Sequence, residues 1–330
     1  MAPRFCNTGI MRIVVLDGYT LNPGDNPWDG LARLGELVVY DRTPPDQVVA
    51  RAADAEIVLT NKTVLTANAI GALPRLRFIA VLATGYNIVD VDAAARRGIP
   101  VSNVPEYGTA GVAQHTIALL LKLANRVGDH HHAVAAGHWV RAPDFSFWLS
   151  APIELNGMTI GIVGYGRIGR RVAELARALG MRVIASGSAR GIDGAAGEVT
   201  ARSIPELFAE ADVISLHCPL TADNAGFVNR NLLARVKPTA WLINTARGGL
   251  IDDQALAEAL NAGRLAGAAL DVLSTEPPRA DNPLLSARNC IITPHIAWAS
   301  LAARRALMDA TVRNVAAFLD GRPINVVNVR

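Results

Sequence analysis

The sequence predicts an α/β chain built on two parallel sheets, each covered by helices on both faces. Three observations carry that expectation. Short β-branched runs alternate with helical stretches along most of the chain. The alternation restarts after a long helical segment near the middle. A glycine-rich turn joins a strand to a helix where the second series begins. The 330 residues leave room for two domains of roughly 100–200 residues each.

In the first series, residues 12–16, 37–40, 56–60 and 77–82 read as buried strands, with helix-like segments at 45–55 and 68–73. Residues 90–98 form a short helix closed by a glycine, and 101–104 a further strand. From Thr109 to Gly137 the helical periodicity runs on for longer than elsewhere, as one helix long enough to bridge two domains. Residues 143–152 break it with Phe145, Phe147 and Trp148, a cluster best read as packing against a partner. The second series places strands at 158–163, 182–185, 213–216, 241–244, 266–272 and 290–293. Six strands make one complete dinucleotide-binding sheet. The last helix, 300–319, precedes a short tail.

Composition narrows the function classes. Hydrophobic residues make up 51% and charged residues 18%, which supports a sizeable core and excludes general disorder. The 32 basic and 29 acidic residues leave a net charge of +3, with no polybasic footprint for nucleic acid or anionic membrane. Lysine is scarce (Lys62, Lys122 and Lys237), so arginine dominates, the side chain suited to forked recognition of carboxylate or phosphate. Cys6, Cys218 and Cys290 are odd in number and lie far apart, which fits a reducing compartment and no zinc site. No apolar run reaches the ~18 residues a membrane span needs, and the first ten residues lack the core of a signal peptide. A cytoplasmic protein is expected.

Gly164-Tyr165-Gly166-Arg167-Ile168-Gly169 follows a strand and opens a helix, as a dinucleotide fingerprint requires. Gly164 permits the tight turn, Gly166 lets the backbone approach a pyrophosphate, and Gly169 lets helix and strand pack closely. The helix N-terminus supplies N–H groups to the phosphates. An NAD-type site next needs an acid at the end of the second strand. Gly187 stands there instead, followed by Ser188 and Arg190, a hydroxyl and a guanidinium able to meet a ribose 2′-phosphate. NADP(H) is the favoured cofactor on this reading; a solvated loop that also admits NAD(H) is the alternative.

Three chemically capable residues follow late strands, at the carboxyl edge where open α/β sheets bind ligands. They are Arg247 in NTARGGLID, Glu276 in DVLSTEPP and His295 in TPHIAWAS. Arginine can clamp a carboxylate, histidine can carry the hydroxyl proton, and a carboxylate beside it can orient it and favour its charged form. A single histidine after a strand is commonly structural; the three together behind a dinucleotide loop point to catalysis. His130, His131 and His132 are consecutive on a helix and diverge by about 100° each, so they read as a solvated helix end and not a metal site. Cys218 reads as a small buried filler and Lys62 as solvated.

At these residues the chain resembles the D-isomer-specific 2-hydroxyacid dehydrogenases over essentially its whole length. The matching blocks, in order, are GIVGYGRIGRRVAELARALGM, LHCPLT, LINTARGG, ALDVLSTEPP and TPHIAWAS. The resemblance implies a flavodoxin-like substrate domain, residues 1–103 and 297–330, with a Rossmann cofactor domain, residues 104–296, inserted in it. It implies that Arg247 binds the substrate carboxylate, His295 is the acid/base and Glu276 its partner. The amides of Thr84 and Gly85, in LATGYN, would also hold the carboxylate. Thr245, Ala246 and Pro219 would line the cofactor, Val112 would lie beneath the nicotinamide, and Asp271 near its amide. A homodimer through the cofactor domain is the family's habit. The stretches VVLDGYTLNPGDNPWD, LTNKT, VLATGYNIVD and PDFSFW resemble glycerate dehydrogenases, that is, hydroxypyruvate reductases. Glu276 stands where formate dehydrogenases carry glutamine. The expected activity is reduction of hydroxypyruvate or glyoxylate to the D-2-hydroxy acid. The alternatives are a D-lactate or phosphoglycerate type of enzyme, or a non-catalytic NAD(P)-sensing corepressor-like protein.

Overall fold

The structure is a computed structural model that describes residues 10–187 and 199–328. The chain divides into two compact units, residues 1–108 with 299–330 and residues 109–298. The divisions fall where the helix beginning at Thr109 starts and two residues before the last helix, against 103/104 and 296/297 expected from sequence.

The first unit carries β1 (Arg12–Val15), β2 (Glu36–Val39), β3 (Ile57–Thr60), β4 (Phe78–Val81) and β5 (Val101–Ser102). They form one parallel sheet in the order β2-β1-β3-β4-β5, the flavodoxin-like order. β3 and β4 are buried at every position, which is why they read as continuous apolar runs with no alternation. Helices α1 (Asp29–Ala32), α2 (Val48–Ala52), α3 (Ala67–Gly71) and α4 (Val91–Arg96) connect them. Asp90 caps α4 by accepting the Ala93 amide, and Gly98, at φ 66°, ends it. The C-terminal helix Leu301–Leu319 belongs to this unit, with Phe318 stacked on Phe78 of β4 at 4.5 Å between ring centres.

The second unit opens with α5 (Thr109–Asn125) and α6 (Val127–Ala135). This corrects the single helix expected over 109–137. Arg126 adopts a left-handed conformation, φ 48°, and the Ala124 carbonyl accepts the Ile153 amide in place of the next rung of the helix. Asp129, in the first turn of α6, ties the break together by accepting from Lys122 and Arg126, both at 2.8 Å. The apolar stripe continues across the junction, so periodicity alone does not reveal it.

β6 (Thr159–Val163), β7 (Arg182–Ser186), β8 (Thr200–Ala201), β9 (Val213–Leu216), β10 (Trp241–Asn244), β11 (Gly267–Leu270) and β12 (Cys290–Ile292) form the second sheet. Its order is β12-β11-β10-β9-β6-β7-β8, all parallel, the doubly wound dinucleotide-binding arrangement with a further strand beyond its sixth. The strand absent from the sequence reading is β8, two exposed residues at the sheet edge that carry no apolar signal. α7 (Arg167–Ala178) follows β6. Strand order reverses between β6 and β9, and a ligand crevice opens at the carboxyl ends of strands at such a point.

Candidate active site

The turn after β6 is shaped by three glycines with different duties. Gly164 has φ 95°, and a Cβ there would lie 2.5 Å from the Cys218 nitrogen, so the loops after β6 and β9 touch backbone to backbone. A Cβ on Gly169 would lie 2.3 Å from the Gly164 carbonyl oxygen, which is the close approach of α7 to its strand. Gly166 differs: a Cβ there would meet nothing within 4 Å. It is the N-cap of α7 and provides no side-chain cap, which leaves the start of a twelve-residue helix suited to a phosphate. These residues fit a dinucleotide pyrophosphate. Arg167 and Ile168 begin the helix, Arg167 exposed and Ile168 packed against the core. At the end of β7, Gly187 is exposed. Ser188 and Arg190 lie outside the described residues.

The loop after β9 carries His217, whose amide donates to the Val163 carbonyl and whose Nε2 lies 2.8 Å from Ser215 Oγ. Burial of the ring disfavours the imidazolium and pushes its pKa from 6.5 down to about 4. The folded state therefore binds fewer protons than the unfolded chain between those values. His217 contributes stability that is fully present above pH 6.5 and lost as pH falls towards 4, about 3 kcal/mol over the window. Denaturant melts between pH 7 and 4 should show that loss, and His217→Asn should flatten it. Beyond this histidine, Cys218 is half-buried with its thiol pKa raised by burial, and Pro219 is exposed, its carbonyl accepting from Asn224 at 2.8 Å.

Arg247 follows β10 in extended backbone. The buried Asn244 builds this turn: its Oδ1 accepts the Ala246 amide at 3.0 Å and its Nδ2 donates to the Arg247 carbonyl at 2.9 Å. Thr245 is buried, Ala246 partly so, and the Arg247 side chain is exposed. One guanidinium nitrogen donates to the Ala246 carbonyl at 2.7 Å; the rest of the fork has no partner among the described residues. Gly248, next in the chain, presses against the loop after β11. A Cβ there would lie 1.9 Å from the Leu273 carbonyl carbon.

That second loop carries Glu276, which accepts the Leu273 amide at 3.1 Å through Oε1 and meets His295 Nδ1 at 2.6 Å through Oε2. His295 sits after β12 with φ 53°, a conformation uncommon for a side chain of its size. The buried Asp271 holds it there. Its backbone carbonyl accepts the His295 amide at 2.8 Å. Its carboxylate accepts the amides of Ile296 and Ala297 and the Thr293 hydroxyl, at 2.9, 2.8 and 2.6 Å. Glu276 receives Nδ1, so Nε2 is left to exchange a proton with a ligand.

Glu276, His295 and Asp271 are thus brought into one hydrogen-bonded group, and Arg247 stands on a loop in backbone contact with Glu276's. Val112 is buried on α5 in the same unit. Thr84 and Gly85 belong to the first unit, after β4. The Thr84 hydroxyl donates to Val104 and its carbonyl accepts from Asn103, while the amides of Thr84 and Gly85 donate to nothing among the described residues. Two free amides on an anchored turn are a ready anion cradle. Asn244 and Thr293 were missed from sequence, although both lie within blocks quoted above.

A parallel sheet with a glycine turn after its first strand and a histidine–carboxylate pair at its carboxyl edge fits a nicotinamide-dependent oxidoreductase. Residues 117–297 match the family described as D-isomer specific 2-hydroxyacid dehydrogenase, NAD binding domain. Hydroxypyruvate reductase of Blautia hydrogenotrophica is 50% identical over 321 residues, covering 96% of this chain and 100% of that protein. Glycerate dehydrogenase of Methylorubrum extorquens is 39% identical over 295 residues, 88% of this chain and 92% of that one. Among solved structures, the NADPH-dependent glyoxylate/hydroxypyruvate reductase of Sinorhizobium meliloti, in complex with NADP and malonate, aligns with TM-score 0.83 and 31% identity over 97% of each chain. The chain belongs to the D-isomer specific 2-hydroxyacid dehydrogenase family, and it reduces a keto acid to the hydroxy acid.

Proposed function

We propose that the protein reduces a small 2-keto acid, hydroxypyruvate or glyoxylate, to the D-2-hydroxy acid, with NADPH favoured over NADH. The observation that carries the reaction is the His295–Glu276 contact at 2.6 Å, which leaves Nε2 as the proton-bearing atom towards substrate. In the second unit Arg247 binds the substrate carboxylate and fixes the ketone's orientation; in the first, the amides of Thr84 and Gly85, which donate to nothing among the described residues, suit a carboxylate as well. When bound, the cofactor's nicotinamide supplies the hydride. His295 donates its Nε2 proton to the oxygen on which charge develops, and Glu276 holds the ring in position throughout. Thr245, Ala246 and Pro219 line the cofactor with the glycine turn, Val112 supports the nicotinamide from α5, and Asp271 lies beside its amide. The names of the relatives support hydroxypyruvate and glyoxylate as substrates.

The preference for NADPH rests on Gly187, where no carboxylate repels a 2′-phosphate, with Ser188 and Arg190 as its partners. A panel of hydroxypyruvate, glyoxylate, pyruvate and 3-phosphohydroxypyruvate against both cofactors tests the assignment. Highest kcat/KM with hydroxypyruvate or glyoxylate and NADPH is expected; a strong NADH preference would remove the cofactor assignment. Gly187→Asp should move the NADH-to-NADPH ratio of kcat/KM upward by about tenfold or more. Its Cβ would lie 3.2 Å from the Tyr165 nitrogen, so the turn must give by a few tenths of an ångström.

A homodimer is the proposed assembly. Val127 of α6, with Trp139, Val140, Phe145, Trp148 and Leu149, exposes an apolar surface in the cofactor unit, and burial against a second copy would cover it. A cytoplasmic location is proposed from Cys218 and Cys290, both free thiols, which fit a reducing compartment. Among the described residues no helix is long and apolar enough to cross a membrane.

A further inference from the structure

Two adjacent residues of α5, His115 and Thr116, reach the two loops that carry Arg247 and His295. Neighbouring helix positions diverge by about 100°, so one segment of a helix can address two different strand ends. His115 Nε2 lies 3.1 Å from Thr293 Oγ1 and 3.5 Å from Asp271 Oδ1. Thr293 spends its one hydroxyl proton on Asp271 at 2.6 Å, so it must accept from His115, and the proton of His115 sits on Nε2. Thr293 stands two residues before His295.

Thr116 repeats the arrangement on the other loop. Its hydroxyl donates to the Val112 carbonyl within its own helix at 2.8 Å, so towards Thr245 Oγ1, 2.9 Å away, it acts as acceptor. Thr245 stands two residues before Arg247. Thr116 is fully enclosed and Thr245 nearly so, which leaves no room for water to replace either partner. α5 itself is a seventeen-residue helix packed on α7, β10 and β11.

We propose that α5 is a brace for the active site, and that His115 and Thr116 are positioning residues that set the separation of the proton donor from the carboxylate clamp. The inference rests on the roles proposed above for His295 and Arg247. His115 acts through the Thr293–Asp271 pair on the loop that holds His295 at φ 53°. Thr116 acts through Thr245 on the turn that aims Arg247. A displacement of about 1 Å at a reacting group can cost on the order of a hundredfold in rate, so each contact has a kinetic signature.

The test measures kcat, KM for the keto acid, NADPH affinity by fluorescence, and Tm, on the full chain. His115→Leu should lower kcat about tenfold or more with KM and NADPH affinity within about threefold of wild type. His115→Gln, whose amide can donate at the position of Nε2, should restore most of the rate. Thr116→Val should raise KM for the keto acid more than it lowers kcat, and Thr116→Ser should restore it. If His115→Leu fails to fold, His115→Asn takes its place, polar but too short to reach Thr293. Unchanged kinetics in both variants would overturn the proposal. So would equal losses in kcat and KM that follow Tm without rescue by the conservative changes, which mark a merely structural role. The distinct failure, a wild-type protein that binds NADPH yet reduces none of the keto acids, would strike the proposed function itself.

Discussion

Replacing His295 with asparagine is expected to lower kcat for keto-acid reduction by on the order of 10²- to 10⁴-fold, with NADPH affinity nearly unchanged. Asparagine is the informative replacement because it keeps two features of the native residue. It tolerates the left-handed backbone that position 295 adopts, φ 53°, better than most side chains. Its Nδ2 also falls where Nδ1 now meets Glu276 at 2.6 Å, so the contact between the two loops survives. Only the Nε2 proton is lost. Reduction consumes that proton, so the variant should still bind NADPH yet turn the keto acid over slowly. Stopped-flow or steady-state kinetics with a parallel NADPH titration reads both effects. A variant with near-normal kcat would remove His295 from the reaction.

Gly248→Ala should be nearly as damaging, although residue 248 offers no chemistry. Its Cβ would lie 1.9 Å from the Leu273 carbonyl carbon, 2.0 Å from its oxygen and 2.5 Å from the Ser274 nitrogen, all backbone atoms. The added methyl must push apart the turn that carries Arg247 and the loop that carries Glu276. Overpacking of this kind costs about 1–3 kcal/mol or more, and misplacement of either group should lower kcat/KM on the order of a hundredfold. Gly249→Ala is the internal control. Its Cβ would meet the end of the Leu220 side chain at 2.9 Å, and Leu220 is exposed and free to turn away. Denaturant melts and kinetics on the pair should separate them clearly; equal and mild effects would show that the two loops do not constrain each other.

Much of this architecture was legible because parallel strands buried on both faces leave unbroken apolar runs, as in Ile57–Thr60 and Phe78–Val81. The glycine turn was legible for a different reason: Gly164, Gly166 and Gly169 each answer a separate steric demand at fixed spacing. What escaped was decided by partners distant in sequence. The break at Arg126 depends on the Ile153 amide taking the Ala124 carbonyl, 29 residues away. Asn244 looks like an ordinary strand-end residue until its hydrogen bonds to the next turn are seen, and Asp271, named from the resemblance for a place near the cofactor, gives no sign in sequence of its hold on the loop of His295. Gly248 reads as a loop glycine, and only the position of Leu273 shows why a side chain cannot stand there. The pairing of His115 with Thr293 spans 178 residues and leaves no local trace.

The central claim is that this site reduces a small 2-keto acid to the D-hydroxy acid by a proton from His295. A single turnover tests it most directly: enzyme saturated with NADPH is mixed with hydroxypyruvate, and the product is resolved on a chiral column. The account predicts D-glycerate alone, in amount equal to the NADPH oxidised. L-glycerate, or bound NADPH that stays reduced with no product, would contradict it.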